Sequence, residues 1–412
     1  MTEASRGVVV IGAGHGGASV VGFLRQYGYE GPITLVGDEP HLPYQRPPLS
    51  KAWLKGEADT DSTALRPAEY FATHKIDLRC GVTAGRIDPV AKTADLSDGT
   101  VFPYDFLVLA TGSRAIVPPI PGIHLVGIHC LRSASDAEAL KAELTAGKHI
   151  AIIGGGYIGL EVAASAIALG ASATVIERED RLLARSASPQ IAAFFADFQR
   201  SHGIEVRLGT SVTEFIGQGG KITAVQLADG TKLDCDVALL GVGALPNMEL
   251  AQDAGLACDR GILVDEDART SDPSIFAIGD ATVRPLSPYG QRVRLESVAN
   301  AVEQAKQVAS AIVGRPRPAP EVTWNWSDQF DLKFQVAGLP FDVASTVVRG
   351  DVAAGKFAIF HLNQDDLVQQ VEAVNAPGEF MLGKKLIAAR TPVSTEQLGD
   401  ISVELKALLV PA

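Results

Sequence analysis

At 412 residues, with 46% apolar and 20% charged side chains, the chain is too long for one hydrophobic core and has the composition of an ordinary globular protein of two or three domains, which excludes disordered and fibrous classes. A formal net charge of −12 weighs against nucleic acid or an anionic membrane surface as a bulk partner. The sequence holds no apolar run of about 18 residues, and Met1-Thr2-Glu3-Ala4-Ser5 lacks the basic start and apolar core of a signal peptide, so no membrane span is expected and the cytoplasm is the expected location.

The first predicted element is an apolar strand, Val8-Val9-Val10-Ile11, which runs into Gly12-Ala13-Gly14-His15-Gly16-Gly17 and a helix of small residues. This is G-x-G-x-x-G in its proper setting. The first glycine allows a tight turn, the second lets backbone approach a pyrophosphate, and the third lets helix pack closely on strand. Asp38 and Glu39 follow 21 and 22 residues after Gly17, where a carboxylate can hold ribose hydroxyls.

The stretch from Glu39 to Lys51 is extended by its prolines. A surface connector would explain Pro47 and Pro48 but not the cations Arg46 and Lys51 that flank them; Arg46 stands where it can meet a pyrophosphate. The strand Tyr104–Leu109 ends in the small-residue turn Ala110-Thr111-Gly112, expected to close the first nucleotide site.

A second fingerprint begins at Gly154, 142 positions after Gly12, in Ile150-Ala151-Ile152-Ile153-Gly154-Gly155-Gly156-Tyr157-Ile158-Gly159. Two copies, each with strand, helix and acid in order, predict two dinucleotides. The acid of the second copy is Glu177, 18 residues after Gly159 at a strand end. A carboxylate there accepts from the 2′-hydroxyl of NADH and repels the 2′-phosphate of NADPH. Arg178 is a guanidinium that can bind that phosphate, so use of NADPH as well stays open. Arg185 suits either the adenine side or plain solvent.

Past this unit, Leu239–Asn247 ends in glycines, Gly243 among them, and a proline, where the chain should leave the second nucleotide domain. Ile275–Asp280 puts a carboxylate, Asp280, at the C-terminal end of a strand, the edge where open α/β sheets bind ligands. Gly314–Pro320 is a proline-rich connector ahead of a last domain. In that domain strand alternation is expected to turn only one of Trp324 and Trp326 inward. Cys80, Cys130, Cys235 and Cys258 are far apart and form no C-x-x-C or metal-like spacing, so buried reduced thiols and no metal site are expected.

Taken in order, these segments resemble the glutathione-reductase-like flavoproteins, and within them the NADH-dependent ferredoxin reductases of mono-oxygenase and aromatic-ring dioxygenase systems. The markers are Arg46-Pro47-Pro48-Leu49-Ser50-Lys51, Ala110-Thr111-Gly112, Gly154–Glu161, Thr270-Ser271-Asp272-Pro273, Ile278-Gly279-Asp280, Glu296-Ser297-Val298 and Trp324-Asn325-Trp326-Ser327-Asp328-Gln329, and they run nearly end to end. The resemblance implies an α/β fold of two Rossmann-like dinucleotide-binding domains and a C-terminal α/β interface domain. FAD would occupy residues 1–114 and 247–322, NADH residues 115–246, and residues 323–412 would form the interface domain.

By the same resemblance FAD is held with Gly12, Gly14, Gly16, Gly17, Asp38, Glu39, Arg46, Lys51, Val82, Ala110, Thr111, Gly112, Arg132, Asp280 and Val298. NADH is held with Gly154, Gly156, Ile158, Gly159, Glu177, Arg185 and Gly243. Lys51 lies beside the flavin, Glu161 pairs with it on the nicotinamide side, and Trp326 shields the ring. Hydride would pass from NADH to the flavin, and single electrons from the flavin to an acidic [2Fe-2S] ferredoxin docking at Arg66, Lys306 and Lys333, all expected to face solvent. His15 in a fingerprint slot and Arg292 at a position that is aromatic in a close relative depart from the pattern. An NADH-sensing interaction protein resembling apoptosis-inducing factor is the alternative; the missing targeting segment, anchor and insertions count against it.

Overall fold

The computed structural model describes residues 6–409, which fall into two compact units. The first comprises the chain up to Arg46, Asp59–Arg114 and Leu245–Glu321; the second comprises Pro47–Ala58, Ala115–Ala244 and the chain from Val322 onward.

The first unit is organised by a five-stranded parallel sheet in the order Ile275–Ala277, Phe106–Leu109, Val8–Ile11, Ile33–Gly37, Ile76–Cys80. Its central strand is apolar at every position because both faces are covered. Val8 and Val10 pack with Val20, Val21 and Leu24 of the helix His15–Gln26 and with Val308 of the helix Val298–Ile312. Val9 and Ile11 point the other way, onto a layer that includes the small antiparallel sheet of Ala84–Asp88, Thr93–Leu96 and Val101–Pro103.

The second unit repeats the plan. Glu205–Arg207, Ser172–Ile176, His149–Ile153, Val237–Leu240 and Ile128–His129 form a parallel sheet in that order. The same unit contains a five-stranded antiparallel sheet, Trp324–Gln329, Leu332–Gly338, Val368–Val374, Lys356–Leu362, Ser345–Asp351, with the helix Pro377–Ala389 on its apolar face. The two sheets are locked together through the helix Pro189–Ser201. Phe195 meets Phe334 at 5.2 Å between ring centroids, and Gln199 donates to Gln329 at 2.6 Å. The fully buried Glu372 accepts from the Ser188 amide and from His361 Nε2, each at 2.8 Å. No helix among the described residues is long and apolar enough to cross a membrane.

Candidate functional site

Backbone contacts superimpose the two fingerprints in register. Gly12 N donates to Val36 O and Gly154 N to Ile176 O, both at 2.8 Å; Ala110 N donates to Ile11 O and Gly241 N to Ile153 O, both at 2.7 Å. The outer glycines are fixed by the protein itself. Gly12 and Gly154 hold φ of +110° and +109°, where a side chain is strained, and a methyl at either would strike the carbonyl of Ala110 or Gly241 at 2.1 or 2.4 Å. A methyl at Gly17 or Gly159 would meet the oxygen of Gly12 or Gly154 at 1.9 or 2.4 Å.

The middle glycines have no such reason. Gly14 and Gly156 lie at φ −80° and −83°, which any residue adopts. A methyl at Gly156 would meet nothing within 4 Å, and one at Gly14 only Arg46 Nε at 4.0 Å. Each is the N-cap of a helix and makes no side-chain cap bond, so the first turn of each helix begins at this bare space. Two such cradles fit pyrophosphate groups.

In the first unit Arg46 reaches the cradle because Glu39 holds it. Arg46 Nη2 lies 2.7 Å from Glu39 Oε1, the Tyr44 hydroxyl donates to Glu39 Oε2 at 2.6 Å, and the guanidinium stands 5.4 Å over the Tyr44 ring. Both Glu39 oxygens are therefore engaged, while Asp38, one residue past the strand Ile33–Gly37, is exposed. The half-buried Val82 donates its amide to Gly37 O at 3.0 Å. Thr111 and Gly112 form a turn closed by Asn247: the Thr111 hydroxyl donates to Asn247 O at 2.6 Å, Asn247 Nδ2 to Thr111 O at 2.9 Å and Asn247 N to Gly112 O at 2.9 Å. Asp280 lies in a short turn after Ile275–Ala277 and accepts from the Ser113 hydroxyl at 3.1 Å. His15 and Val298 each open a helix and are half-buried. Arg292 donates to Val264 O at 3.2 Å.

In the second unit Glu177 occupies the position that Gly37 holds in the first. The exchange is paired with the fingerprint's second residue. A methyl at Gly37 would collide with the Ala13 methyl at 2.6 Å, whereas glycine at 155 leaves room for the Glu177 side chain, whose Cβ would lie 3.3 Å from a methyl there. The Glu177 carboxylate accepts from Gly155 N at 2.7 Å and Glu179 N at 2.9 Å. Arg178 points into solvent, with Glu179 beside it at 2.9 Å. Arg185 Nη2 would lie 3.1 Å from a methyl on Gly243, whose φ of +120° excludes one anyway, and Ile158 is exposed in the first turn of the helix Tyr157–Ala168. Burial pushes the Tyr157 phenol up to about 12, and its hydroxyl donates to Ser186 O at 3.3 Å. Arg132 donates its amide to Asp136 at 2.9 Å, at the cap of the helix Ala134–Glu143.

Glu161, 5% exposed on the helix Tyr157–Ala168, meets Lys51 Nζ at 2.5 Å. Its carboxylate also accepts from the hydroxyls of Ser50 and Ser327, the latter at 2.7 Å. Sequence reasoning missed Ser50, Ser113, Asn247 and Ser327; small polar residues with partners more than 100 positions away leave no spacing signal.

Three expectations need correction. Trp324 and Trp326 do not divide between inside and outside: they are two apart in one strand, so they share a face, with ring centroids 5.4 Å apart, both half-buried. Lys306 is not a free solvent-facing cation, because Glu321 holds its half-buried ammonium at 2.5 Å; Arg66 and Lys333 are exposed. Of the four cysteines, all free thiols, only Cys235 is buried, and desolvation pushes it up to about 12.

Residues 6–305 match the pyridine nucleotide-disulphide oxidoreductase family, and residues 324–409 match the reductase C-terminal family. The chain belongs to the pyridine nucleotide-disulphide oxidoreductases. It is an oxidoreductase, and relatives that match it along nearly its whole length include ferredoxin reductases. It is 49% identical to "Probable ferredoxin reductase CtmF" of Castellaniella defragrans over 99% of this chain and 100% of that one. Rhodocoxin reductase of Rhodococcus erythropolis is 43% identical over 97% and 93%. Putidaredoxin reductase of Pseudomonas putida is 40% identical over 100% and 98%. The crystal structure of the covalent putidaredoxin reductase–putidaredoxin complex superimposes with a TM-score of 0.95 at 39% identity, covering 99% of each chain.

Proposed function

We propose that this oxidoreductase takes electrons from NADH through FAD and delivers them to a [2Fe-2S] ferredoxin that feeds a mono-oxygenase or a ring-hydroxylating dioxygenase. The observation that carries the reading is the pair of cradles whose central glycines, Gly14 and Gly156, are kept bare by neither packing nor backbone conformation. Relatives named ferredoxin reductase, rhodocoxin reductase and putidaredoxin reductase support it across nearly the whole chain.

FAD belongs to the module of residues 1–114 and 247–322, NADH to residues 115–246, and residues 323–412 form an interface module. Gly12, Gly14, Gly16 and Gly17, with the positive end of the helix His15–Gln26, receive the FAD pyrophosphate. Arg46, aimed by Glu39, adds positive charge there; Asp38 takes the ribose, and Val82, the turn at Ala110, Thr111 and Gly112, Arg132, Asp280 and Val298 complete the site. Gly154, Gly156, Ile158 and Gly159 receive NADH, with Arg185 and Gly243 at its adenosine end. Glu177, held by the Gly155 and Glu179 amides, presents acceptors suited to a 2′-hydroxyl and hostile to a 2′-phosphate. When bound, FAD supplies acceptance of two electrons together from NADH and their release one at a time. Lys51 and Glu161 fix the angle of nicotinamide on flavin, Trp326 keeps water from the ring, and exposed cations including Arg66 and Lys333 attract an acidic partner. The cytoplasm is the proposed location.

Purified protein should be yellow, with about one FAD per chain, and should reduce a two-iron ferredoxin with NADH. Colourless protein that also fails to bind added FAD would overturn the reading.

A further inference from the structure

The residues flanking Glu161 on its helix are apolar and buried: Leu160, Val162 and Ala163 are 0% exposed. A carboxylate in such a place is costly unless its oxygens find donors. Oε2 has Lys51 Nζ and the Ser50 hydroxyl. Oε1 has the hydroxyl of Ser327, at 2.7 Å, which comes from the C-terminal antiparallel sheet. Behind Ser327 the donors continue in one direction. Gln329 Nε2 donates to the Ser327 oxygen at 3.0 Å, and Gln199 Nε2 donates to Gln329 Oε1 at 2.6 Å. Ser327, Gln329 and Gln199 are 0, 1 and 0% exposed. Three donors in series, shielded from water, end on one carboxylate oxygen, and each polarises the next.

We infer that Ser327 is a positioning residue for the Lys51–Glu161 pair, so that the C-terminal module takes part in aligning NADH as well as in meeting the electron acceptor. This rests on the proposed role of that pair. The Lys51 and Ser50 contacts both fall on Oε2 and leave the carboxylate free to turn about its last bond; the Ser327 hydroxyl pins the other oxygen and with it the direction in which Lys51 is drawn. The strand that carries Ser327 also carries Trp326, so one element would both steady the Lys51–Glu161 pair and shield the flavin.

The test uses the FAD-loaded protein, with flavin reduction by NADH followed anaerobically and the dissociation constant of NAD+ read from the flavin spectrum. Ser327→Ala should slow the limiting rate about tenfold or more, the effect of losing one hydrogen bond to a charged group, and weaken NAD+ binding at unchanged FAD content. Ser327→Thr should restore both. Added to Glu161→Ala, Ser327→Ala should slow the reaction no further. Equal slowing in both backgrounds, or none in either, overturns the inference. If Ser327→Ala does not fold, Ser327→Cys carries the same comparison, because a thiol is only a weak donor. A slow Glu161→Ala enzyme beside an unaltered Ser327→Ala enzyme overturns this inference alone. A Glu161→Ala enzyme reduced at the full rate overturns the role given to the pair and this inference with it.

Discussion

Lys51 and Glu161, 110 positions apart in the chain, approach to 2.5 Å with the carboxylate almost wholly buried. A pair so placed is weak evidence for stability, since its desolvation cost offsets much of its attraction, and stronger evidence for a requirement of geometry. Glu161→Ala should therefore slow flavin reduction by NADH by at least tenfold, on the order of 1.4 kcal/mol in the barrier. Oxidation of the reduced enzyme by ferredoxin should stay nearly unchanged. Rapid mixing of each half-reaction separately decides this, and equal slowing of both would refute the division of labour.

The glycines of one fingerprint should divide by mechanism. Gly17→Ala puts a methyl against the Gly12 carbonyl and should lower the melting temperature of the protein stripped of FAD. Gly14→Ala meets no backbone and should leave that melting temperature alone while weakening FAD binding. If Gly14→Ala binds FAD with unaltered affinity, the cradle is not where the pyrophosphate lies.

This contrast also shows what the sequence could and could not tell. The strand, turn and helix of each nucleotide unit were legible because glycine at Gly12, Gly17, Gly154 and Gly159 answers a local steric demand. The distance from Gly17 to an acid did not distinguish the exposed Asp38 from Glu39, whose carboxylate holds Arg46. Nor did it reveal that Gly37 stands where Glu177 does, because that exchange depends on the methyl of Ala13. Ser50 and Ser327 were invisible as site residues: their partner Glu161 lies 111 and 166 positions away. Strand alternation cannot separate Trp324 from Trp326, because residues two apart share a face.

Cofactor choice should follow Glu177. Glu177→Ala removes acceptors from the ribose 2′-hydroxyl and leaves Arg178 to greet a phosphate, so the preference for NADH over NADPH should narrow by about 1–3 kcal/mol. The ratio of kcat/KM for the two nucleotides measures it. An unchanged ratio would place selectivity elsewhere.

The exposed cations should behave differently from the paired one. Arg66→Glu and Lys333→Glu should each raise the KM for ferredoxin and flatten its salt dependence, while reduction of a small uncharged dye stays constant, because exposed charges are screened beyond about 8–10 Å at physiological ionic strength. Lys306→Ala should leave ferredoxin kinetics unchanged and cost about 1 kcal/mol of stability or less, since its charge already belongs to Glu321. Ferredoxin kinetics indifferent to both reversals would move docking to another surface.

The most direct test of the whole account is an anaerobic titration in which the FAD-loaded protein and limiting NADH are mixed with excess two-iron ferredoxin and the iron–sulfur spectrum is followed. About two ferredoxins should be reduced for each NADH consumed, because the flavin accepts electrons as a pair and releases them singly. NADH that bleaches the flavin while ferredoxin from every oxygenase system tried stays oxidised would contradict it.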